Sequence, residues 1–364
     1  MTIGIVGAGQ LGRMMALAGY PLGLDFLFLD KDAGTCAAQL SPQLTGAFED
    51  TKLLDQLAKR CEVVTIDWEN VPVASMERIA RTTPVAPPLA ALAAAQDRLS
   101  EKSLFHSLGI PTNDHQAVDS REDLLRAVQA IGLPGVLKTR RMGYDGKGQA
   151  VLRKASDVES AWASLGSQPL IYEAFVPFDY EVSIIGVRST RGEIALYPLN
   201  RNLHRDGILR LTRAPWHAPV VEAAARRYMR KLLAHFSYVG VLTVEFFVRR
   251  GKLVANEMAP RVHNSGHWTI EGAVTSQFEN HVRAVLGLPL GDTSVTGHSA
   301  MLNLIGEMPT REGLLSDGRL HLHDYGKSPR PGRKLGHVTL LETTARRRDQ
   351  RAATLLRKID ARKL

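Results

Sequence analysis

A short segment near residue 260 combines side chains that suit chemistry on small anions beside a metal. Residues 257–268 include Glu257, Arg261, His263 and Asn264 within eight consecutive positions. Arginine offers a planar fork of donors to an anion, and a nearby carboxylate repels that anion unless a cation lies between them. The segment therefore favours metal-assisted chemistry, with a polar loop held by its own hydrogen bonds as the alternative.

Two histidine pairs raise the alternative of a zinc site. His263 and His267 have the i,i+4 spacing of a helical zinc pair, but Asn-Ser-Gly at 264–266 disfavours a helix. His321 and His323 share one face of a predicted strand, without an evident third ligand. We expect the latter pair to be hydrogen-bonded structural histidines.

Two acidic residues fall on neighbouring predicted strands. Glu245 lies in strand 241–248 and Glu257 in strand 253–258, and Arg-Arg-Gly-Lys at 249–252 is typical of a hairpin between them. Pleat alternation places both acids on one face if the loop has an odd number of residues, and on opposite faces if the number is even. On one face, Mg²⁺ bridging the carboxylates and nucleotide phosphates would relieve their repulsion. The spacing leaves both arrangements open.

Two glycine-rich segments indicate phosphate binding. Gly-Ala-Gly-Gln-Leu-Gly at 7–12 follows a predicted strand and opens a helix, and Asp30 ends the next strand, as in dinucleotide-binding domains. An anion on the free amides of that helix, or tight packing without a ligand, would explain the glycines. Residues 143–149 join two strands and lack the ending of a P-loop, so they predict a lid over phosphates that Lys138 reaches from below. An ordinary glycine hairpin with an exposed Lys147 is the alternative.

The size and composition are those of a multidomain globular protein. The chain has 364 residues, of which 44% are apolar and 23% charged, and one core normally takes roughly 100–200 residues. A βαβαβ pattern over the first 80 residues predicts a parallel α/β sheet. Breaks at 83–88 and 286–291 predict three domains, which we place at 1–90, 91–290 and 291–364.

Charge and cysteine content argue against several functional classes. The net charge is +9, and +6 of it falls on residues 345–364, where apolar residues at helical spacing predict a solvated basic helix. No basic stripe with interleaved aromatic residues points to nucleic acid. No apolar run approaches the roughly 20 residues that span a bilayer, and no signal-peptide pattern is present, so we expect a cytoplasmic location. Two cysteines are too few for a disulfide framework.

Together these motifs resemble the ATP-grasp superfamily and, within it, the N5-carboxyaminoimidazole ribonucleotide synthase family. The resemblance extends from residue 3 to about residue 340 and rests on segments 9–14, 143–149, 202–208, 257–269 and 330–337. It implies a mixed α/β and α+β fold with an N-terminal Rossmann-like pre-ATP-grasp domain, an ATP-grasp domain and a small C-terminal domain. A central lid subdomain at about 112–175 and a homodimer are also implied.

The resemblance implies an ATP-dependent ligase of purine biosynthesis. Family members carboxylate the exocyclic amine of 5-aminoimidazole ribonucleotide with bicarbonate, through carboxyphosphate. Mg²⁺, or Mn²⁺, would be held by Glu245 and Glu257. Arg261, His263 and Asn264 would hold bicarbonate and then carboxyphosphate, with Lys138 beside the transferred phosphoryl group. We hypothesise that His263 acts as a base, because an unperturbed imidazole titrates near neutral pH.

The same resemblance implies two sets of binding residues. Those expected to bind ATP are Arg98, Lys138, Gly143, Tyr144, Asp145, Gly146, Lys147, Gly148, Gln149, Glu173, Ala174, Phe175, Val176, Glu181, His204, Asn256 and Glu257. Those expected to bind the ribonucleotide and its phosphate are Gln10, Leu11, Gly12, Glu69, Tyr144, Asp145, Lys327, Arg333 and Lys334. The competing functions are a formate-using ligase on a related ribonucleotide, an NAD-dependent oxidoreductase and a non-enzymatic nucleotide-binding module.

Overall fold

The computed structural model describes residues 1–143 and 146–361, beginning with a four-stranded parallel sheet in the order β3-β2-β1-β4. The predicted βαβαβ pattern is confirmed. Nearly all residues of β1, β2 and β4 are buried, as in a parallel sheet covered on both faces. The elements are β1 (Thr2–Val6), α1 (Gln10–Gly19), β2 (Asp25–Asp30), β3 (Gln43–Thr45), α2 (Thr51–Arg60), β4 (Val63–Ile66) and α3 (Val73–Ala80).

Two helices lead from this sheet into the rest of the chain, α4 (Leu89–Ala95) and α5 (Arg98–Ser107). Asp97 caps α5, because its Oδ1 accepts hydrogen bonds from the backbone N–H groups of Leu99 and Ser100. Its carboxylate also pairs with Arg140 at 2.8 Å. The cap at Asp97 thus makes Arg98 the first residue of α5 and holds that arginine in the first turn.

A small antiparallel sheet, in the order β5-β8-β6-β7, lies in the segment that was predicted to be the lid. It has an apolar core of its own beneath two helices. Gly135–Thr139 and Gln149–Leu152 pair as a hairpin, so the predicted strand-loop-strand arrangement is confirmed. The elements are β5 (His115–Val118), α6 (Arg121–Ile131), β6 (Gly135–Thr139), β7 (Gln149–Leu152), α7 (Asp157–Leu165) and β8 (Leu170–Ala174).

The largest sheet has nine strands and continues into the C-terminal part of the chain. Its central elements are β9 (Tyr180–Arg188), β10 (Ile194–Leu196), β11 (Asn200–Arg205), β12 (Ile208–Ala214), α8 (Pro219–His235), β13 (Gly240–Arg249), β14 (Lys252–Ala259), α9 (Thr269–Gly272) and α10 (Gln277–Val285). The C-terminal elements are β15 (His298–Ile305), α11 (Arg311–Leu315), β16 (Leu320–Asp324), β17 (Lys334–Glu342) and α12 (Ala345–Asp360). Because β12 pairs with β15, the last part of the chain extends the sheet of the central part.

The basic C-terminal segment forms α12, as predicted, and packs its apolar positions on the sheet. Arg348 is buried in this helix and donates to the carbonyl oxygen of Pro215 at 2.9 Å. None of the helices in the described ranges is long and apolar enough to cross a bilayer.

The β13–β14 hairpin has a two-residue turn and a β-bulge. Arg250 and Gly251 have φ values of 48° and 72°, which suit a tight turn, and Arg249 pairs with Lys252. An even loop alone would place Glu257 on the face opposite Glu245. A register shift between residues 245 and 246 instead pairs Glu245 directly with Glu257. The bulge, which adds one residue on β14, therefore brings both carboxylates onto one face.

Candidate active site

Two adjoining cavities meet at Arg98 and Glu257, which line both. The loop cavity lies against the segment after β14, and its lining includes Gln10, Leu11, Glu69, Gly143, Arg261, His263, Asn264 and Lys334. The lid cavity lies beneath the β6–β7 loop, and its lining includes Lys138, Gly146, Lys147, Gln149, Glu181, His204, Glu245 and Asn256. Residues predicted as site residues in separate motifs are thus brought together from all three sheets.

Glu245 and Glu257 are neighbouring carboxylates in different electrostatic states. Burial alone would raise the pKa of Glu257, but Arg98, whose Nη1 lies 2.9 Å from its Oε2, lowers it. Burial raises the pKa of Glu245 to about 7, with Glu257 adding to the shift and His204 opposing it. A cation between the two would keep both ionised.

The donor set fits Mg²⁺ bound together with phosphates. Within residues 1–143 and 146–361, no group of three His, Cys, Asp or Glu side chains is arranged to hold a metal. Mg²⁺ is commonly bound by one or two carboxylates, waters and nucleotide phosphate oxygens, so two acids are sufficient. The same finding gives no support to a zinc site at His263 and His267.

Lys138 is held at the lid cavity by a buried carboxylate. Glu173 Oε2 lies 3.0 Å from Lys138 Nζ and 3.2 Å from Lys102 Nζ, and it accepts from Asn113 Nδ2 at 3.1 Å. Burial would raise the pKa of Glu173, but Lys138, Lys102 and Arg98 outweigh it and lower the pKa strongly. The Glu173 side chain therefore forms ion pairs with both lysines. Ala174, Phe175 and Val176, which were expected to bind ATP, do not line either cavity.

A histidine–glutamate pair adds positive charge to the lid cavity. His204 Nδ1 lies 2.9 Å from Glu181 Oε2. Although burial disfavours the charged ring, the hydrogen bond to Glu181 and the nearby Glu245 raise the pKa of His204 to about 9. His204 is consequently a cation at neutral pH. The lid cavity thus combines His204, Lys138 and Arg98 with the two acids, a balance that suits a polyphosphate bound with a divalent ion.

The loop cavity contains His263, a neutral histidine near the charged side chains of Arg261 and Lys334. Arg261 Nε donates to Glu69 Oε2 at 2.5 Å, so the predicted substrate ligand Glu69 is paired with the predicted bicarbonate ligand. Burial, with Arg261 and Lys334 adding to it, lowers the pKa of His263 well below its usual value. Asn264 exchanges two amide hydrogen bonds with Asn303 on β15, at 3.0 and 2.7 Å. These two hydrogen bonds fix the orientation of the Asn264 side chain against the C-terminal part of the sheet.

The predicted phosphate cradle is only partly assembled. Lys327 donates to Gln10 Oε1, and Lys334 lines the loop cavity with Gln10 and Leu11. Arg333 instead donates to the Ser328 carbonyl and hydroxyl oxygens, at 3.1 and 3.0 Å. Arg333 does not line either cavity.

Internal carboxylates fill part of the anion site that was predicted on the first glycine loop. Asp67 Oδ2 accepts hydrogen bonds from the amides of Gly9, at 2.6 Å, and Gly12, at 3.2 Å. Asp30 Oδ2 accepts from the amide of Ala8 at 2.7 Å. The helix start is therefore occupied by two internal carboxylates, and the Gly12 amide is unavailable to a substrate phosphate. Asp30 is likewise engaged and is not poised for a ribose.

Three family models match consecutive parts of the chain. They are the ribonucleotide synthetase preATP-grasp domain over residues 1–96, the ATP-grasp domain over 103–278 and the phosphoribosylaminoimidazole carboxylase C-terminal domain over 299–351. The N5-carboxyaminoimidazole ribonucleotide synthase of Pseudomonas aeruginosa is 53% identical over 340 residues, which cover 93% of this chain and 94% of that protein. The chain belongs to the N5-carboxyaminoimidazole ribonucleotide synthase family.

Solved structures agree with this assignment. The N5-carboxyaminoimidazole ribonucleotide synthetase of Thermus thermophilus is 50% identical, covers 98% of each chain and has a TM-score of 0.93. The Aspergillus clavatus synthase, in complex with ADP and 5-aminoimidazole ribonucleotide, is 30% identical, covers 99% of this chain and 98% of its own, and has a TM-score of 0.91. The predicted family, ATP-grasp fold and ligase class are confirmed.

Several residues that shape this synthase site were not predicted from the sequence. Lys102 lies one helical turn after Arg98, so their i,i+4 spacing was an available signal for a shared face. Asp67, Glu101 and Ser183 gave no local signal, because their partners are far away in the sequence. The sites proposed at Tyr144 and Asp145 lie outside the described residues.

Proposed function

We propose that this chain carboxylates 5-aminoimidazole ribonucleotide with bicarbonate, using ATP, to give N5-carboxyaminoimidazole ribonucleotide, ADP and phosphate in de novo purine biosynthesis. The observation that carries the proposal is the pairing of Glu245 with Glu257 where the two cavities meet. One cavity suits a polyphosphate, and the other offers an arginine to a small planar anion.

The lid cavity would hold ATP. Lys138, Arg98 and the charged His204 would contact its phosphates. Gly146, Lys147 and Gln149, which line the same cavity, would lie beside them. Mg²⁺ would be held by Glu245 and Glu257, with Asn256 beside them, and would supply positive charge to the phosphate oxygens when bound. Glu181, whose carboxylate lies 2.9 Å from His204 Nδ1 in the same cavity, would also accept hydrogen bonds from the ribose hydroxyls.

The loop cavity would hold bicarbonate and the acceptor amine. Bicarbonate is a poor electrophile, so transfer of the γ-phosphoryl group to its oxygen first provides a leaving group. The resulting carboxyphosphate would be held by Arg261, His263 and Asn264, and would release CO₂ beside the amine. Phosphoryl transfer places its main demand on positioning and charge stabilisation. Arg98 and Glu257 line both cavities and would therefore lie beside the path of the transferred phosphoryl group.

The ribonucleotide would lie across the same cavity. Lys334 and Lys327, with Gln10 and Leu11, are the candidates for its phosphate, and the Arg261–Glu69 pair forms another part of the wall. By resemblance to the family, we further propose that the enzyme acts as a homodimer in the cytoplasm.

Release of ADP, measured with both, either or neither of 5-aminoimidazole ribonucleotide and bicarbonate, tests the function. We expect full turnover only with both, together with formation of the carboxylated product. Turnover with formate in place of bicarbonate would instead identify the related ligase. Binding of ATP without ADP release under any condition would reduce the protein to a nucleotide-binding module.

A further inference from the structure

A chain of buried hydrogen bonds connects His263 with the middle of the large sheet. Ser265 Oγ lies 2.9 Å from His263 Nδ1, and Ser183 Oγ lies 2.8 Å from Ser265 Oγ. The side-chain amides of Asn200 and Asn202 donate to Ser183 Oγ at 2.7 and 3.0 Å. Both serines are fully buried, so water does not compete for these contacts.

The direction of each proton follows from the donors at the two ends of this chain. A hydroxyl has two acceptor positions and one proton, and the two amides fill both acceptor positions of Ser183. Ser183 must then donate to Ser265, and among the hydrogen bonds of the described residues the only acceptor left for the Ser265 proton is His263 Nδ1. The backbone N–H of Ser265 also points at Nδ1, at 3.3 Å, and an N–H can only donate. Two independent contacts therefore make Nδ1 an acceptor.

The orientation of the two amides is set by other neighbours. Asn202 Oδ1 accepts from Thr212 Oγ1 at 3.0 Å, while its Nδ2 faces Glu245 Oε1 at 3.4 Å. Asn200 Nδ2 faces the carbonyl oxygen of Ser265 at 3.4 Å and donates to Asn202 Oδ1 at 3.2 Å. Turning Asn200 over would bring its Oδ1 against the Ser265 carbonyl oxygen and Asn202 Oδ1, and turning Asn202 over would bring its Nδ2 against Asn200 Nδ2.

An acceptor at Nδ1 places the single proton of the neutral ring on Nε2. His263 lines the loop cavity, and its Nε2 makes no hydrogen bond with any residue in the described ranges. We propose that Ser183 and Ser265 are positioning residues that keep His263 as an Nε2–H donor, aimed at an oxygen of bicarbonate or carboxyphosphate. The identity of that anion rests on the proposed function.

This arrangement does not fit the hypothesis that His263 acts as a base. A base must offer an unoccupied lone pair to the group that it deprotonates. The only lone pair of the neutral ring is directed at Ser265. A fixed N–H donor instead stabilises negative charge on an oxygen at no further cost of reorganisation.

The proton position can be read directly by long-range ¹H–¹⁵N spectroscopy of ¹⁵N-histidine-labelled enzyme at neutral pH. The His263 signals are assigned by their loss in His263→Gln. We expect the downfield shift of an unprotonated nitrogen at Nδ1 and the upfield shift of a protonated nitrogen at Nε2. The reverse pattern would overturn the proposal. This readout needs no turnover, so it is separate from the test of the carboxylation itself.

Positioning variants provide the second readout. Ser265→Ala should mix the two ring forms and lower kcat roughly tenfold, with KM for ATP unchanged. Thr269→Val is the matched control, since it removes a buried hydroxyl of the same segment that contacts Gly266 and Gln277 but not the His263 ring. The control should keep the wild-type ring spectrum. An unchanged ring spectrum in Ser265→Ala would refute the positioning role.

Replacement of His263 separates a donor from a base. Glutamine presents an amide N–H close to the place of Nε2, whereas asparagine is too short. His263→Asn should lower kcat about 10²–10³-fold, the usual loss on removal of an oxyanion donor, and His263→Gln should recover roughly tenfold or more of that loss. Equal losses in the two variants, each with unchanged ATP affinity, would contradict a donor role.

Discussion

Two glycine-rich loops of this chain look alike in sequence but contact different groups. In the first, residues 7–12, the amides of Ala8, Gly9 and Gly12 are bound by the carboxylates of Asp30 and Asp67. The second, residues 143–149, has described members that line the two cavities. Glycines make backbone N–H donors accessible, but a ligand can bind to them only if no internal acceptor already does.

The acidic residue beside each loop also has a different partner. Asp67 belongs to the same domain as the first loop and accepts hydrogen bonds from its Gly9 and Gly12 amides. Glu257, under the second loop, is balanced by Arg98 across the junction of the two cavities. If this contrast is correct, changes at the second loop should affect catalysis and changes at the first should affect folding.

The largest effect is expected at the junction beneath the lid. Glu257→Gln should lower kcat about 10²–10³-fold, because it removes a carboxylate from the proposed metal pair. The matched control is Glu101→Gln, a buried acid of the same cavity whose pKa is raised to about 8, mainly by burial, and which is therefore neutral at pH 7. Steady-state ADP release compares the two. A similar loss of kcat in both variants would show that Glu257→Gln acts by disturbing the packing of the cavity.

The next test exchanges one glycine in each loop for alanine. Gly7 has a φ of 96°, and a Cβ there would lie 1.9 Å from Asp67 Oδ1, so Gly7→Ala should lower the free energy of unfolding by about 3 kcal/mol. Gly148 has a φ of 69° and would approach Thr139 Oγ1 at 2.6 Å. Gly148→Ala should chiefly raise KM for ATP. Urea denaturation measures the stability of each variant, and initial rates measure its KM for ATP. Equal changes of stability and of KM in the two variants would show that the two loops do not differ in role.

A smaller effect is the pH dependence of stability that comes from Asp67. Burial raises its pKa from an ordinary value of 3.8 to about 6, so the folded chain binds this proton more tightly than the unfolded chain. Its contribution is present below about pH 4 and is lost as the pH rises through 6. In Asp67→Asn, denaturation curves from pH 4 to 7 should lack this decline. The exposed Asp55, paired with Arg78, is the control site, and Asp55→Asn should retain the decline.

The smallest expected effect is that of NADH. Because the carboxylates of Asp30 and Asp67 already accept from the amides of Ala8, Gly9 and Gly12, NADH should leave both tryptophan fluorescence and Tm unchanged. ATP with Mg²⁺ at about 100 times its Kd should stabilise the fold by about 2.7 kcal/mol. A shift of Tm by NADH as large as that by ATP would restore the dinucleotide interpretation of residues 7–12.

Much of the fold was predictable because its signals are local. The strand predicted after the second glycine-rich loop is Gln149–Leu152, and the predicted strand at 253–258 lies within Lys252–Ala259. Capping residues and apolar periodicity act over a few positions, so they are visible in one sequence. Much of the candidate site was predictable for a different reason, namely the resemblance of several long motifs in a fixed order. Lys102, Asp67 and the serines behind His263 were missed, because their roles depend on distant partners.

By itself, the sequence determined the order of strands and helices, the family and the residue types of the cleft, since these depend on local periodicity and on motif order. Only the tertiary structure decided how those residues act. The bulge in β14 turned Glu257 towards Glu245, although the turn has an even number of residues. Asp67 accepts a hydrogen bond from the amide of Gly9, which lies 58 residues away in sequence. Such outcomes depend on register and on contacts between distant segments, which local propensities do not specify.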